Sequence, residues 1–73
     1  MKRHNSVAHK NANNRVIGQS GIMCMPTKYG NRIRFRNPPK PKIDYYPSTD
    51  RWICDGVERQ GTVDEFIKWY LSL

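Results

Sequence analysis

The feature that most constrains the fold is a helix start signal near the C-terminal end of the sequence. Thr62 and Glu65 have the spacing of a capping box, in which each side chain accepts a hydrogen bond from the other residue's backbone amide. This pattern predicts a helix that begins at Val63. Apolar residues then recur at the spacing of one helical face, namely Val63, Phe66, Ile67 and Tyr70. A face of this kind must pack against another element.

A predicted hairpin directly upstream provides that element. Residues 43–47 and 51–55 are rich in aromatic and β-branched side chains, and the turn-forming group Pro-Ser-Thr-Asp separates them. Asp55 and Gly56 form a second turn signal, and we expect a third short strand over residues 57–60. The hairpin and the helix are therefore predicted to form one packed unit.

Basic residues are concentrated before this unit. Residues 1–42 contain ten basic residues and no acidic one, whereas residues 43–73 contain three basic and six acidic residues, which gives the chain a net charge of +7. Such asymmetry indicates a polyanionic partner, a membrane surface or simply a basic tail. No run approaches the roughly 20 apolar residues of a membrane span. We therefore expect a cytoplasmic protein with no membrane partner.

The chain is predicted to have one small domain behind a tail. Residues 1–14 are dominated by Asn, Lys and His, which predicts a disordered basic tail. The domain, residues 15–73, divides into basic strands, a proline-rich connector and the hairpin–helix unit, at residues 15–36, 37–42 and 43–73. We expect a short strand at residues 15–18. The predicted fold class is α+β, with an antiparallel sheet of three to five strands and the C-terminal helix packed across one face.

The segment from Arg32 to Arg36 alternates basic and apolar residues, as a half-buried strand does. With about 3.3 Å per residue, its guanidinium groups recur about 6.6 Å apart on one face. A guanidinium binds phosphate oxygens bidentately, so the row can follow a nucleic-acid backbone. The alternative is an edge strand that charge protects against aggregation. The residues predicted to hold phosphates or an acidic partner are Lys28, Arg32, Arg34, Arg36, Lys40 and Lys42.

Tyrosines near this segment are candidates for base stacking, because exposed aromatic rings bind unpaired bases. The candidates are Tyr29, Tyr45 and Tyr46. Tyr45 and Tyr46 are adjacent in a strand and must point to opposite faces, so one of them is expected to be exposed. The alternative is that Trp52, Trp69 and Phe66 take one of these tyrosines into a purely structural core.

Other residue types do not indicate chemistry. His4, His9, Cys24 and Cys54 lack the regular spacing of a zinc site, so we expect no metal and no cofactor. Both cysteines are expected to be packed thiols without a disulfide. The acidic residues show no pairing typical of acid–base catalysis, and an enzyme is not expected.

The segment from Tyr45 to Gly56, followed by Arg59 to Gly61 and Phe66 to Trp69, resembles the C-terminal parts of small proteins encoded by bacteriophages and mobile elements. The resemblance implies a short accessory protein that acts inside a bacterial host, on nucleic-acid machinery or on a defence complex. It does not include the basic N-terminal part of the chain.

Two functional hypotheses follow from these observations. In the first, the chain is a nucleic-acid-binding module that contacts the phosphates of DNA or RNA through the arginine strand. In the second, it is a protein-binding inhibitor or adaptor that docks its basic face on an acidic surface of a host nucleic-acid-processing or defence complex. Exposed aromatic residues beside the arginines would favour the first hypothesis, and an exposed apolar patch would favour the second.

Overall fold

An antiparallel sheet forms the middle of the chain, with a helix before it and a helix after it. The computed structural model describes residues 6–73, and within them it has two helices and five strands. The elements are α1 (Ser6–Gln19), β1 (Met25–Pro26), β2 (Ile33–Phe35), β3 (Ile43–Tyr46), β4 (Arg51–Cys54), β5 (Val57–Gln60) and α2 (Val63–Leu71). The fold class is α+β, as predicted.

Each strand of the sheet pairs with the next one along the chain, in the order β1-β2-β3-β4-β5. The predicted hairpin is confirmed, since Tyr45 pairs with Trp52 between β3 and β4. The turn signal after it is confirmed as well, with φ of 53° at Asp55 and 79° at Gly56. Positive φ at both central residues is what a tight two-residue hairpin requires. The local turn chemistry thus determines the register of the last three strands.

The predicted capping box is present at the start of α2. The Thr62 hydroxyl accepts from the Glu65 amide at 3.1 Å, and the Glu65 carboxylate accepts from the Thr62 amide at 2.8 Å. Val63, Phe66 and Tyr70 are the buried residues of this helix. Phe66 is fully buried and stacks on Tyr45 with 4.6 Å between ring centroids. The helix therefore packs across one face of the sheet through its aromatic residues.

The N-terminal helix corrects two predictions. We expected a disordered tail over residues 1–14 and a strand at residues 15–18, but α1 spans residues 6–19. Residues 1–5 lie outside the described part of the chain. Asparagine is a poor helix former, and this segment contains several, so its local preference does not favour a helix. Contacts with the rest of the fold must stabilise it.

Those contacts are polar and apolar together. Asn13 is 6% exposed, and its side chain donates to the Pro47 carbonyl at 2.8 Å and to the Asp50 carboxylate at 3.0 Å. His9 lies 2.8 Å from the same carboxylate. One turn further along the helix, Ile17 is buried in the core beside the sheet and α2. α1 is thus held on the inner side of the sheet, the side that α2 covers.

No helix within residues 6–73 is long and apolar enough to cross a lipid bilayer.

Candidate nucleic-acid interface

Side chains on the two faces of the sheet have different surroundings. The inner face carries the core residues of β2, β3 and β4, which form one cluster with Ile17 of α1 and Phe66 of α2. The strand registers place the intervening side chains on the other side, which we call the open face. Its residues are Met25, Arg32, Arg34, Arg36, Asp44, Tyr46, Arg51, Ile53, Glu58 and Gln60. Neither described helix lies against this face.

The alternation predicted for the arginine segment is present. Ile33 and Phe35 are 1% and 0% exposed, and the arginines on either side of them are partly exposed on the open face. The segment is not an edge strand, because β2 lies between β1 and β3. On this side of the sheet the edge strand is β1, in which Pro26 has no amide hydrogen to donate. Protection of an edge therefore does not explain the arginines of β2.

The arginines differ in how far the fold already uses them. Arg36 donates to the Asp44 carboxylate and to the Phe35 and Ile43 carbonyls, each at 3.0 Å. This side chain ties the end of β2 to β3. Arg32 and Arg34, in contrast, form no ion pair with any residue between 6 and 73. Their charges are the ones that the open face offers to a partner.

Beside this row lies a pair formed by an aromatic ring and an arginine. Tyr46 and Arg51 are directly opposite each other across β3 and β4. The Arg51 guanidinium lies 4.8 Å from the Tyr46 ring centroid, which is a cation–π contact. The guanidinium also donates to Glu58 at 3.1 Å and to the Thr49 hydroxyl at 3.1 Å. A flat aromatic and cationic surface is thereby held in place on the open face.

Tyr45 must be removed from the candidate residues. It is fully buried on the inner face, where Phe66 and Trp52 lie against its ring. Burial raises the pKa of Tyr45 well above its usual value, and the nearby Asp50 carboxylate raises it further. One of the two adjacent tyrosines faces outward, as expected, and it is Tyr46.

Lys40 must be removed as well, because it lies on the helix side of the sheet. Its ammonium group donates to the Leu73 carbonyl at 3.0 Å and lies 5.2 Å from the Tyr70 ring centroid. A cation at the C-terminal end of α2 is favoured by the helix dipole. Together with Pro39, Pro41 and Leu73, Lys40 lines a shallow cleft of about 380 Å³ that is separate from the open face.

The remaining candidates lie at the ends of the arginine row. Lys28 and Tyr29 are exposed on the loop between β1 and β2, with the ammonium group 5.4 Å from the ring centroid. α1 holds this loop, since Lys10 donates to the Tyr29 carbonyl at 3.1 Å. Lys42 is exposed and directly precedes β3. These side chains extend the basic surface but do not contact the open face through any described hydrogen bond.

The cysteines take no part in the open face. Cys54 is buried on the inner face, as predicted, and Cys24 is partly buried against the core. Burial raises the pKa of both thiols, and the Asp55 carboxylate adds to the effect at Cys54. Both are free thiols in the described structure. They are packing residues, with little thiolate to react at neutral pH.

Sequence reasoning missed Arg51 as a member of the site. The signal was available, because a four-residue turn at residues 47–50 places the residues on either side of it opposite each other. Tyr46 and Arg51 are those residues. Asp44 was missed too, and its pairing with Arg36 depends on the register between β2 and β3, which no short turn reveals.

No protein-family model, curated protein or solved structure matches the chain. The resemblance to bacteriophage and mobile-element proteins therefore stays a prediction. The candidate interface depends on the geometry of the open face alone.

Proposed function

We propose that the chain is a nucleic-acid-binding module that holds phosphates with Arg32 and Arg34 on the open face of its sheet. The observation that carries the proposal is that Arg34 lies within β2 and Arg32 directly precedes it, that neither forms an ion pair with the described residues, and that β2 is not an edge strand. Guanidinium groups at alternate strand positions match the repeated charge of a nucleic-acid backbone. The proposed role of the chain is binding and not catalysis.

The surroundings of the two arginines support this function. Lys28 and Lys42 are exposed near the two ends of the row and add positive charge. The Tyr46–Arg51 pair adds a stacking surface on the same face. Tyr46 is partly exposed on this face, and an exposed aromatic residue beside the arginines is the feature that we expected of a nucleic-acid partner and not of a protein partner.

A second function is favoured by one observation. Met25 is opposite Arg34 in the sheet and is 47% exposed, and Met23 nearby is exposed as well. Methionines at a surface adapt to the shapes of protein partners. The alternative is therefore an inhibitor or adaptor that docks the basic face on an acidic protein surface, in a nucleic-acid-processing or defence complex.

Either function would be exercised in the cytoplasm. Should a bacteriophage encode the chain, as the resemblance implies, that would be the cytoplasm of the bacterial host. Both nucleic acid and acidic protein surfaces are present there.

The salt dependence of binding tests the proposal. We expect replacement of Arg32 and Arg34 by alanine to weaken binding to an oligonucleotide. The slope of log affinity against log salt should flatten by about 1.4 on a single strand or about 1.8 on a duplex, because binding releases fewer counterions when two phosphate contacts are lost. The measurement is fluorescence anisotropy with a labelled oligonucleotide at several salt concentrations.

Arg15 and Lys68 provide a matched control, since both are exposed on the helices and away from the open face. Replacing these two by alanine removes the same net charge, and we expect a much smaller change in slope. Equal flattening in both double variants would mean that only net charge matters, and it would contradict the assigned site. A folded chain that binds no oligonucleotide at low salt would leave the acidic protein surface as the better candidate.

A further inference from the structure

We propose that the ligand of the open face is a single strand, with one base stacked on the Tyr46–Arg51 pair. This inference rests on the proposed function and names the class of nucleic acid. It depends on how the charges and the aromatic surface are distributed across the strands of the sheet.

Unpaired positive charge on the open face is confined to one strand. Arg32 and Arg34 flank Ile33 on β2, and the next strand places the Asp44 carboxylate directly opposite Arg34. On β5 the open face carries a second carboxylate, Glu58, which is bound to Arg51. Phosphates are therefore attracted to Arg32 and Arg34, whereas the carboxylates of β3 and β5 are paired with Arg36 and Arg51 and leave no unpaired positive charge there. The face therefore accommodates one row of phosphates.

A duplex would bring a second row of phosphates to the open face. The two backbones lie about 12 Å apart across the major groove. Strand spacings of about 4.8 Å place β5 about 14 Å from β2. A second backbone that crosses the face would thus lie near Glu58, which is paired with Arg51, so no unpaired positive charge is there to bind its phosphates. A single strand has no second backbone to place.

The bases of a single strand can reach the Tyr46–Arg51 pair, which lies beyond β2 on the open face. About 10 Å from the arginine row, at two strand spacings, the Arg51 guanidinium lies against Tyr46. Its hydrogen bonds to Glu58 and Thr49 hold the guanidinium plane, so that a base can stack on the surface of the pair. Unpaired bases stack on aromatic rings and on guanidinium planes, whereas the bases of a duplex are already stacked on each other.

Tyr46 is better placed for this role than Tyr29. Tyr46 belongs to a central strand, and its position is fixed by pairing with β4. Tyr29 lies on the loop before β2, is 70% exposed and has Lys28 beside its ring. A stacking site on a rigid element loses less conformational entropy on binding. The two tyrosines therefore provide a direct comparison within one chain.

The experiment compares three probes of equal length with the full chain, by fluorescence anisotropy. The probes are an oligothymidylate, the same strand without its bases, and a duplex. We expect the oligothymidylate to bind roughly tenfold more tightly than the abasic strand, because one stacked base is lost. It should also bind more tightly than the duplex. Equal affinity for the intact and abasic strands, or tighter duplex binding, would overturn the inference and leave the proposed function standing.

Variants then locate the stacked base. Tyr46→Leu should lower the affinity for the intact strand roughly tenfold and leave the abasic strand unaffected, while Tyr46→Phe should bind as the native chain does. Tyr29→Leu should change neither affinity. A loss that follows Tyr29 and not Tyr46 would overturn the assigned site. If none of the three probes binds at low salt, the proposed function itself is wrong.

Discussion

At the scale of single residues, Phe66 is the centre of the core. Its ring lies between Phe35 on β2, Tyr45 on β3 and Trp52 on β4, with centroid distances of 5.2, 4.6 and 5.0 Å. The same ring also contacts Tyr70 one turn further along α2. Since a chain of this size has only a narrow margin of stability, the loss of such a residue affects the whole fold.

Phe66→Ala is expected to lower the free energy of unfolding by roughly 3–5 kcal/mol, because it removes a fully buried ring and leaves a cavity. Urea unfolding followed by circular dichroism measures this change. Leu71 lies on the same helix but is exposed, so Leu71→Ala should stay within about 0.5 kcal/mol of the native chain. A Phe66→Ala variant as stable as the native chain would show that the core is elsewhere.

A second residue-scale prediction concerns the buried phenol of Tyr45. Burial raises its pKa above the ordinary value of 10, so the unfolded chain loses this proton at a lower pH than the folded chain does. The raised pKa therefore contributes stability that is fully present below pH 10 and is lost as the pH rises above it. The Tyr45 hydroxyl has no hydrogen-bond partner in the described structure.

We expect Tyr45→Phe to be at least as stable as the native chain at pH 7 and to lose less stability between pH 9 and pH 11. Urea unfolding at several pH values measures the difference. The cysteine thiols, whose raised pKa values act in the same direction from about pH 9, are unchanged in the variant and cancel in the comparison. Parallel stability curves for the two proteins would contradict the prediction.

At the scale of elements, the stability of α1 depends on its tertiary side-chain contacts more than on its intrinsic helix propensity. Asn13 is the main buried polar contact, through its bonds to Pro47 and Asp50. Asn13→Ala should cost about 1–3 kcal/mol, since it removes hydrogen bonds to groups that are then left without this partner. Hydrogen exchange of the α1 amides should quicken accordingly.

Asn11 is the matched control, because it lies on the same helix and is exposed. Asn11→Ala should leave the exchange rates unchanged or slow them slightly, as alanine is the better helix former. If both variants accelerate exchange alike, helix propensity governs α1 and the Asn13 contacts do not.

The elements that could be predicted from the sequence are those with local signals. The capping box determined the start of α2, and the turn residues determined the hairpins of β3, β4 and β5. α1 could not be predicted, because its partners lie far along the chain: Asn13 and Pro47 are 34 residues apart, and His9 and Asp50 are 41 apart.

The candidate site likewise has features that local sequence patterns predict and features that depend on distant contacts. Alternation along β2 was sufficient to predict which side its arginines face. The pattern of β3 showed that Tyr45 and Tyr46 face opposite ways but not which of them is buried, because that depends on where Phe66 packs. The hydrogen bond from Arg36 to Asp44 could not be predicted, because it depends on the register between β2 and β3.

At the scale of the whole molecule, folding mixes the two differently charged parts of the sequence. The first 42 residues have no acidic residue, yet the open face combines their arginines with Asp44 and Glu58 from the acidic part. Arg36 and Arg51 are neutralised by these carboxylates. The positive field of the open face is therefore narrower than the net charge of +7 suggests, and it is concentrated along β2.

The turn between β3 and β4 connects the two sides of this sheet. Tyr46 and Arg51 flank this turn. On the inner side, Asn13 and His9 of α1 bind its Pro47 carbonyl and Asp50 carboxylate. The helix is therefore a support for the Tyr46–Arg51 pair as well as a part of the core. Displacement of α1 would therefore be expected to loosen the turn and, with it, the Tyr46–Arg51 pair on the opposite face of the sheet.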